Sequence, residues 1–192
     1  PAVYLFAIYL PAYTVWVVYA GTLWWIGITF YLKLAVPAEA SATFSVLKLL
    51  AAFIVVPAAV FAMRDIHALE HGPAWLFYAL ALVWVADIGA YFSGKRFGRH
   101  KLSPNISPGK TREGLIGGIL ATSIYSLLAG YLFGLDLMQL SLLLLLSVVI
   151  TRISVSGDLY FSFLKREAGL KDSGRILPGH GGVLDRVDSV LA

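Results

Sequence analysis

Cysteine is absent from this 192-residue sequence, and charged residues are scarce. The lack of cysteine excludes disulfides, thiol nucleophiles and cysteine-ligated zinc. Asp, Glu, Lys and Arg make up only 14% of the residues, whereas an ordinary soluble domain has about a quarter. The hydrophobic fraction is 59%. This composition indicates an integral membrane protein.

Long apolar runs predict an all-α fold, a polytopic helical bundle within a membrane. A spanning helix needs about 20 mostly apolar residues. Candidate spans cover residues 2–20, 22–36, 44–63, 74–92, 115–134 and 140–157. The first two meet at Gly21, where the sequence allows either a tight hairpin or one broken helix. Because the chain starts without Met and stops just after a charged cluster, we expect a fragment of a longer protein.

The few charges gather in two segments. Loop 93–113 holds six Lys or Arg residues and one acid, whereas segment 158–188 holds five basic and five acidic residues. Lys and Arg in short loops mark the cytoplasmic side of a membrane protein. Two spans separate the segments, so both lie on the same face. The sequence therefore predicts that both charged segments lie at the cytoplasmic face.

The last span ends in a carboxylate. If the helix continues past Asp158, then Ser162 and Lys165 align with it, and Thr151 and Ser154 extend the same polar stripe. This pattern is also typical of a helix-end acid that pairs with Lys165 or Arg166. Asp87, inside the span 74–92, has two interpretations as well. It is either a structural hydrogen-bonding acid or a member of the polar site.

Two further acids follow a turn near the end of the chain. Asp185 and Asp188 are three residues apart behind "PGHGG", and "VLDRVDSVLA" has the pattern of a helix. Their side chains then face one way. Together with Asp158 they give three carboxylates beside a cluster of Lys and Arg. That combination suits Mg²⁺ and phosphates, because Mg²⁺ prefers oxygen ligands and cations neutralise phosphate charge.

The segment "SFLKREAGLKDSGRILPGHGGVLDRVD", residues 162–188, resembles the signature of the phosphatidate cytidylyltransferase family, also called CDP-diacylglycerol synthases. A second block, "DIGAYFSGKRFGRHKLSPNISPGKTREG", residues 87–114, is also similar to the family. The resemblance covers roughly residues 75–192. It divides the chain into N-terminal transmembrane helices, residues 1–72, and a catalytic transmembrane region, residues 73–192, which contains loop 93–113 and signature segment 158–188.

The resemblance implies a reaction in which CTP and phosphatidate give CDP-diacylglycerol and pyrophosphate. It implies a homodimeric, multi-pass helical protein of the bacterial inner membrane. The active site is expected in a polar cavity at the cytoplasmic face, open to the cytoplasm and the bilayer. Two Mg²⁺ ions are expected at Asp158, Asp185 and Asp188, which with Lys165 form the expected catalytic set. The expected substrate-binding residues are Ser107, Lys110, Thr111, Ser162, Arg166, Lys171, Asp172, His180, Gly181, Gly182 and Arg186.

Two other functions compete with this interpretation. A related membrane enzyme could use another nucleotide or another lipid phosphate, and the sequence separates that activity poorly. An anion transporter with a charged cytoplasmic cavity is less well supported, because transporters place polar groups near the middle of the membrane in paired halves. Nucleic-acid binding is not expected, since the basic loop is tied between spans and no nucleic-acid motif is visible.

Overall fold

The computed structural model describes residues 11–32, 42–170 and 189–191. Within these residues the fold is helical, with one short antiparallel hairpin. The elements are α1 (Pro11–Tyr31), α2 (Ala42–His67), α3 (Gly72–Phe97), β1 (Lys101–Ser103), β2 (Ser107–Thr111), α4 (Arg112–Leu132) and α5 (Leu137–Glu167).

The predicted polytopic helical architecture is confirmed. Four segments of the described chain are long and apolar enough to cross a membrane, and they are Tyr13–Tyr31, Gly72–Phe97, Arg112–Leu132 and Leu137–Glu167. Helix α5 has 31 residues, so it is about 46 Å long at 1.5 Å per residue. It therefore exceeds the hydrocarbon core of about 30 Å, and its last turns extend beyond the apolar layer.

The predicted hairpin or break at Gly21 is wrong. Helix α1 runs without interruption from Pro11 to Tyr31. A Cβ atom on Gly21 would lie 2.5 Å from the Cβ atom of Ala58 on α2. The glycine is therefore needed for close helix packing, and it does not interrupt the helix. Small residues often serve this purpose between membrane helices.

Helices α3 and α4 are also packed closely, along a line of small residues. A Cβ atom on Gly114 would lie 2.9 Å from the carbonyl oxygen of Ala90, and one on Gly118 would lie 3.0 Å from that of Ala86. Both pairs are spaced by four residues, so they fall on one face of each helix. This contact holds the start of α4 against the last turns of α3.

Buried hydroxyl groups link the helices further along the bundle. The Thr151 Oγ1 hydroxyl on α5 donates to Thr122 Oγ1 on α4 at 3.0 Å. Tyr78 on α3 and Ser126 on α4 share a hydrogen bond of 2.7 Å. Ser154 is buried on the same face of α5. The predicted polar stripe that leads to Asp158 is therefore present, and Thr151, its first residue, contacts α4.

The loop predicted at residues 93–113 contains more regular structure than the sequence indicated. Helix α3 continues to Phe97, and β1 and β2 pair with Lys101 opposite Thr111 and Ser103 opposite Ser107. Ile106, in the turn between the strands, is completely buried in a cluster with side chains of α1 and α5. Ile106 fixes the tip of the hairpin to the helices, and Leu102 of β1 packs against the same cluster.

Candidate functional site at the helix ends

A cavity of about 380 Å³ lies where the hairpin meets the helices. Its polar lining comes from three places in the sequence: Asp87, Tyr91 and Lys95 of α3, Lys110 and Thr111 of β2, and Asp158 of α5. The α3–α4 contact and the anchored hairpin bring these elements together. The cavity therefore joins residues separated by up to 71 positions, from Asp87 to Asp158.

An ion pair crosses this cavity. The Nζ atom of Lys110 lies 2.5 Å from Oδ2 of Asp158, and it also donates to the backbone carbonyl of Val155 at 3.5 Å. The Lys110 side chain is 21% exposed and that of Asp158 is 32% exposed. Both charges are thus partly desolvated and still reachable from the cavity. An ion pair in this setting is stronger than one on an open surface.

Asp87 supplies a second carboxylate to the same space. Its Oδ2 atom accepts a hydrogen bond of 3.2 Å from the Ser189 hydroxyl. Asp87 lines the same cavity as Asp158 and Lys110. The sequence left open whether Asp87 is structural or part of the polar site, and the geometry places it in both roles. The cavity therefore has two acids with a lysine near both.

The hairpin is held in position by the first turn of α4. The Thr111 hydroxyl caps this helix by accepting from the Gly114 backbone N–H at 3.1 Å. The Glu113 carboxylate accepts from the backbone N–H groups of Arg99 and His100 and contacts the His100 ring at 2.6 Å. These contacts tie both ends of the hairpin to α4. Lys110, one residue before the cap, is therefore held at a fixed place.

The predicted site residues on α5 lie on the turns that follow Asp158. Helix α5 continues past Asp158 to Glu167. Ser162 and Lys165 therefore lie on the same face of the helix as Asp158, as the sequence predicted. Ser162 and Lys165 are partly buried, and Arg166 is exposed. Ser107, on β2, is also partly buried. Among the described residues, these four lie outside the set that lines the cavity.

The rest of the predicted site lies outside the described residues: Lys171, Asp172, His180, Gly181, Gly182, Asp185, Arg186 and Asp188. The helix expected over "VLDRVDSVLA" does not extend through Ser189 and Val190, where the chain forms a turn. Hydrogen bonds from neighbouring helices to the ends of this turn hold it in place.

Tyr91 and Lys95 line the cavity, although sequence reasoning did not single them out as site residues. The signal was their spacing, because Asp87, Tyr91 and Lys95 are four residues apart and share one face of a helix. The Nζ atom of Lys95 lies 5.7 Å from the centre of the Tyr91 ring. Trp84, which is also on α3, is 57% exposed and lies outside the cavity lining within the described residues.

The comparison with known proteins decides the family. The sequence matches the model of the cytidylyltransferase family over residues 1–192. The chain belongs to the cytidylyltransferase family.

Curated relatives in this family carry one shared name. The chain is 46% identical over 129 residues to a phosphatidate cytidylyltransferase of Haemophilus influenzae, covering 66% of this chain and 45% of the relative. It is 47% identical over 122 residues to that of Staphylococcus epidermidis, with 64% and 46% covered. It is 48% identical over 113 residues to the phosphatidate cytidylyltransferase of Pseudomonas aeruginosa, covering 59% of this chain and 42% of the relative. The matched segments span less than half the length of these relatives.

The cytidylyltransferase resemblance implied Mg²⁺, and the cavity has a donor set that fits this ion. Within the described residues, no three His, Cys, Asp or Glu side chains lie close enough together to hold a metal ion by themselves. Asp87 and Asp158 nevertheless face one cavity with oxygen ligands. Mg²⁺ is often held by one or two carboxylates together with substrate phosphates. The described residues therefore satisfy the minimum for such a site.

Proposed function

We propose that this protein transfers the cytidylyl group of CTP to phosphatidate, giving CDP-diacylglycerol and pyrophosphate. The observation that carries the proposal is the Lys110–Asp158 pair inside a 380 Å³ cavity at the helix ends. Membership of the cytidylyltransferase family and relatives named phosphatidate cytidylyltransferase support the choice of nucleotide and lipid. The activity is that of a CTP-dependent nucleotidyltransferase.

The reaction needs charge neutralisation more than it needs a strong base. The second pKa of a phosphate monoester is near 6, so the phosphate of phosphatidate is already an anion at neutral pH. One of its oxygens attacks the α-phosphorus of CTP and forms the new P–O bond. The bond from the α-phosphorus to the bridging oxygen breaks, and pyrophosphate leaves with that electron pair. The main obstacle is repulsion between two polyanions.

The cavity offers cations where this repulsion arises. We assign Lys110 to a phosphate group of CTP, since its ammonium group is held at the cavity wall by β2 and Val155. Asp158 orients the ammonium group of Lys110. Thr111 keeps the hairpin against α4 through its cap. Ser107, Ser162, Lys165 and Arg166 lie beyond the cavity lining among the described residues and would contact the outer phosphates or the lipid headgroup.

We include a divalent cation in the proposal because carboxylate oxygens are the ligands that Mg²⁺ prefers. Asp158, with Asp87 of the same cavity and with Asp185 and Asp188 from the signature segment, would hold Mg²⁺, and we propose two ions. Bound Mg²⁺ supplies charge stabilisation at the phosphate oxygens. Lys171, Asp172, His180, Gly181, Gly182 and Arg186 are proposed to bind the substrates.

The length of α5 supports a site at the water boundary of the membrane. Counting about 20 residues from Leu137 fills the hydrocarbon core and ends near residue 157, immediately before Asp158. Lys95 lies in the last turn of α3 and Lys110 precedes α4, so both belong to the same face. CTP can then arrive from water and phosphatidate from the bilayer. We propose that this face is cytoplasmic, in the inner membrane, and that the protein is a homodimer.

The activity is tested with purified protein, radiolabelled CTP, phosphatidate vesicles and Mg²⁺. We expect labelled CDP-diacylglycerol and an equal amount of pyrophosphate, and we expect excess EDTA to stop their formation. Unlabelled ATP, GTP and UTP added in excess should compete weakly. Strong competition by one of these nucleotides, or a labelled product formed from another lipid phosphate, would favour the related nucleotidyltransferase. Absence of any labelled lipid with all substrates present would overturn the proposal.

A further inference from the structure

The short segment Ser189–Leu191 receives or makes hydrogen bonds with three different helices. The Ser154 hydroxyl of α5 donates to the Ser189 carbonyl oxygen at 3.1 Å. The Ser189 hydroxyl donates to Asp87 Oδ2 of α3 at 3.2 Å. The Trp25 indole N–H of α1 donates to the Leu191 carbonyl oxygen at 3.0 Å. We call these three hydrogen bonds the C-terminal anchor.

The anchor lies in a buried place. Ser189 is 8% exposed and Ser154 is 1% exposed, while Trp25 is 4% exposed. Buried polar groups need partners, and their loss costs more than the loss of a surface contact. The backbone carbonyls of Ser189 and Leu191 would otherwise be left without these donors. The segment is therefore fixed by polar contacts that a purely apolar packing could not replace.

One hydrogen bond of the anchor involves a residue of the candidate site. Asp87 lines the cavity that contains Asp158 and Lys110, and Ser189 is bonded to its carboxylate. The position of Ser189 therefore limits where the Asp87 carboxylate can lie relative to Lys110 and Asp158.

We propose that Ser189 is a positioning residue: its hydroxyl holds the Asp87 carboxylate in the cavity that also contains Lys110 and Asp158, and this placement gives the site its affinity for Mg²⁺ and CTP. This proposal rests on the proposed function for its catalytic part. The anchor itself is a property of the fold and can be measured without turnover. Ser154 and Trp25 hold the same segment through its backbone carbonyl oxygens.

A thiol probe measures the anchor directly, because the sequence contains no cysteine. Val190→Cys places one thiol inside the anchored turn, where the side chain is partly buried. We expect maleimide labelling of this thiol in detergent to be about tenfold faster when Ser189→Ala is added, as local opening becomes easier without the bond to the carboxylate. Ser189→Thr keeps a hydroxyl and should restore slow labelling.

A matched control is available on α5. Ser147 is buried, and its hydroxyl donates to the Leu144 carbonyl of its own helix. Ser147→Ala removes an equivalent buried hydroxyl without touching the anchor. Its labelling rate and its activity should equal those of the parent protein carrying Val190→Cys.

Turnover is then measured as a function of Mg²⁺ concentration in the same variants without the cysteine. In Ser189→Ala we expect the Mg²⁺ concentration for half-maximal rate to rise about tenfold, the change expected for one lost hydrogen bond to a charged group. Ser189→Thr should return toward the parent value. A residue with only a structural role would lower the yield of folded protein and leave this Mg²⁺ dependence unchanged.

Each outcome decides one part of the proposal. Unchanged labelling in Ser189→Ala overturns the anchor. Faster labelling with an unchanged Mg²⁺ dependence overturns the positioning role. A parent protein that makes no CDP-diacylglycerol overturns the proposed function and the catalytic part of this inference, while the labelling rates still decide whether the anchor exists.

Discussion

At the scale of single residues, the proposed cytidylyl transfer depends on Lys110 and Asp158. Asp158 was predicted because it ends an apolar span and matches a signature. Lys110 was predicted as a substrate contact, but its pairing with Asp158 was not. The two residues are 48 positions apart, and their contact is created by the hairpin and by α5. Local sequence spacing carries no information on such a pair.

Replacing Lys110 tests its assigned charge. In Lys110→Gln we expect kcat/KM for CTP to fall about 100-fold, or about 2.7 kcal/mol. The reason is that a phosphate loses its cation and Asp158 loses its partner. Lys101→Gln is the matched control, since Lys101 is exposed on the same hairpin, and its kcat/KM should stay near that of the parent. Steady-state kinetics with labelled CTP make the comparison. Equal losses in the two variants would contradict a specific role for Lys110.

At the scale of elements, the helices were predictable and the hairpin was not. Apolar runs long enough to span a membrane predicted α2 to α5 within a few residues, apart from the ends of α3 and α5. Those ends are polar, so the apolar run ends before the helix does. The strands are short, Pro108 and Gly109 lie within β2, and Pro104 lies in the turn, so strand propensity gives almost no signal. The burial of Ile106, a tertiary contact, fixes the hairpin tip.

The close packing of α3 against α4 gives a stability prediction. A Cβ atom on Gly89 would lie 2.6 Å from the Ala121 Cβ atom and 2.9 Å from the Gly117 carbonyl oxygen. Gly89→Ala should therefore lower the free energy of unfolding by about 1–3 kcal/mol, the usual cost of overpacking. Titration with SDS, followed by circular dichroism, measures this difference in purified protein.

Gly27→Ala is the matched control for that experiment. Gly27 is also inside a helix, but a Cβ atom there would meet nothing within 4 Å. Alanine is the better helix former by up to about 1 kcal/mol, so this variant should be as stable as the parent or more stable. If Gly89→Ala were equally stable, the α3–α4 contact described above would be wrong.

At the scale of the whole molecule, the fold class followed from composition, and the convergence of the site did not. The apolar fraction and the few charges predicted a membrane bundle with polar groups at one end. The position of Asp87 beside Asp158 depends on how α3, α4 and α5 cross, which is set by Gly114, Gly118 and the buried hydroxyls. Asp185 and Asp188 lie outside the described residues, so their convergence with Asp158 stays a prediction.

The central claim is that the Asp158 carboxylate is essential for cytidylyl transfer. The most direct measurement is CDP-diacylglycerol formation by Asp158→Asn beside Asp136→Asn, an acid-to-amide change at the other end of α5. Asn caps helices about as well as Asp, so the N-cap at Asp136 should survive. We predict that Asp136→Asn keeps the parent rate, while Asp158→Asn is inserted and folded but loses turnover by at least about 1,000-fold, roughly 4 kcal/mol. Near-parental turnover in folded Asp158→Asn would contradict the account.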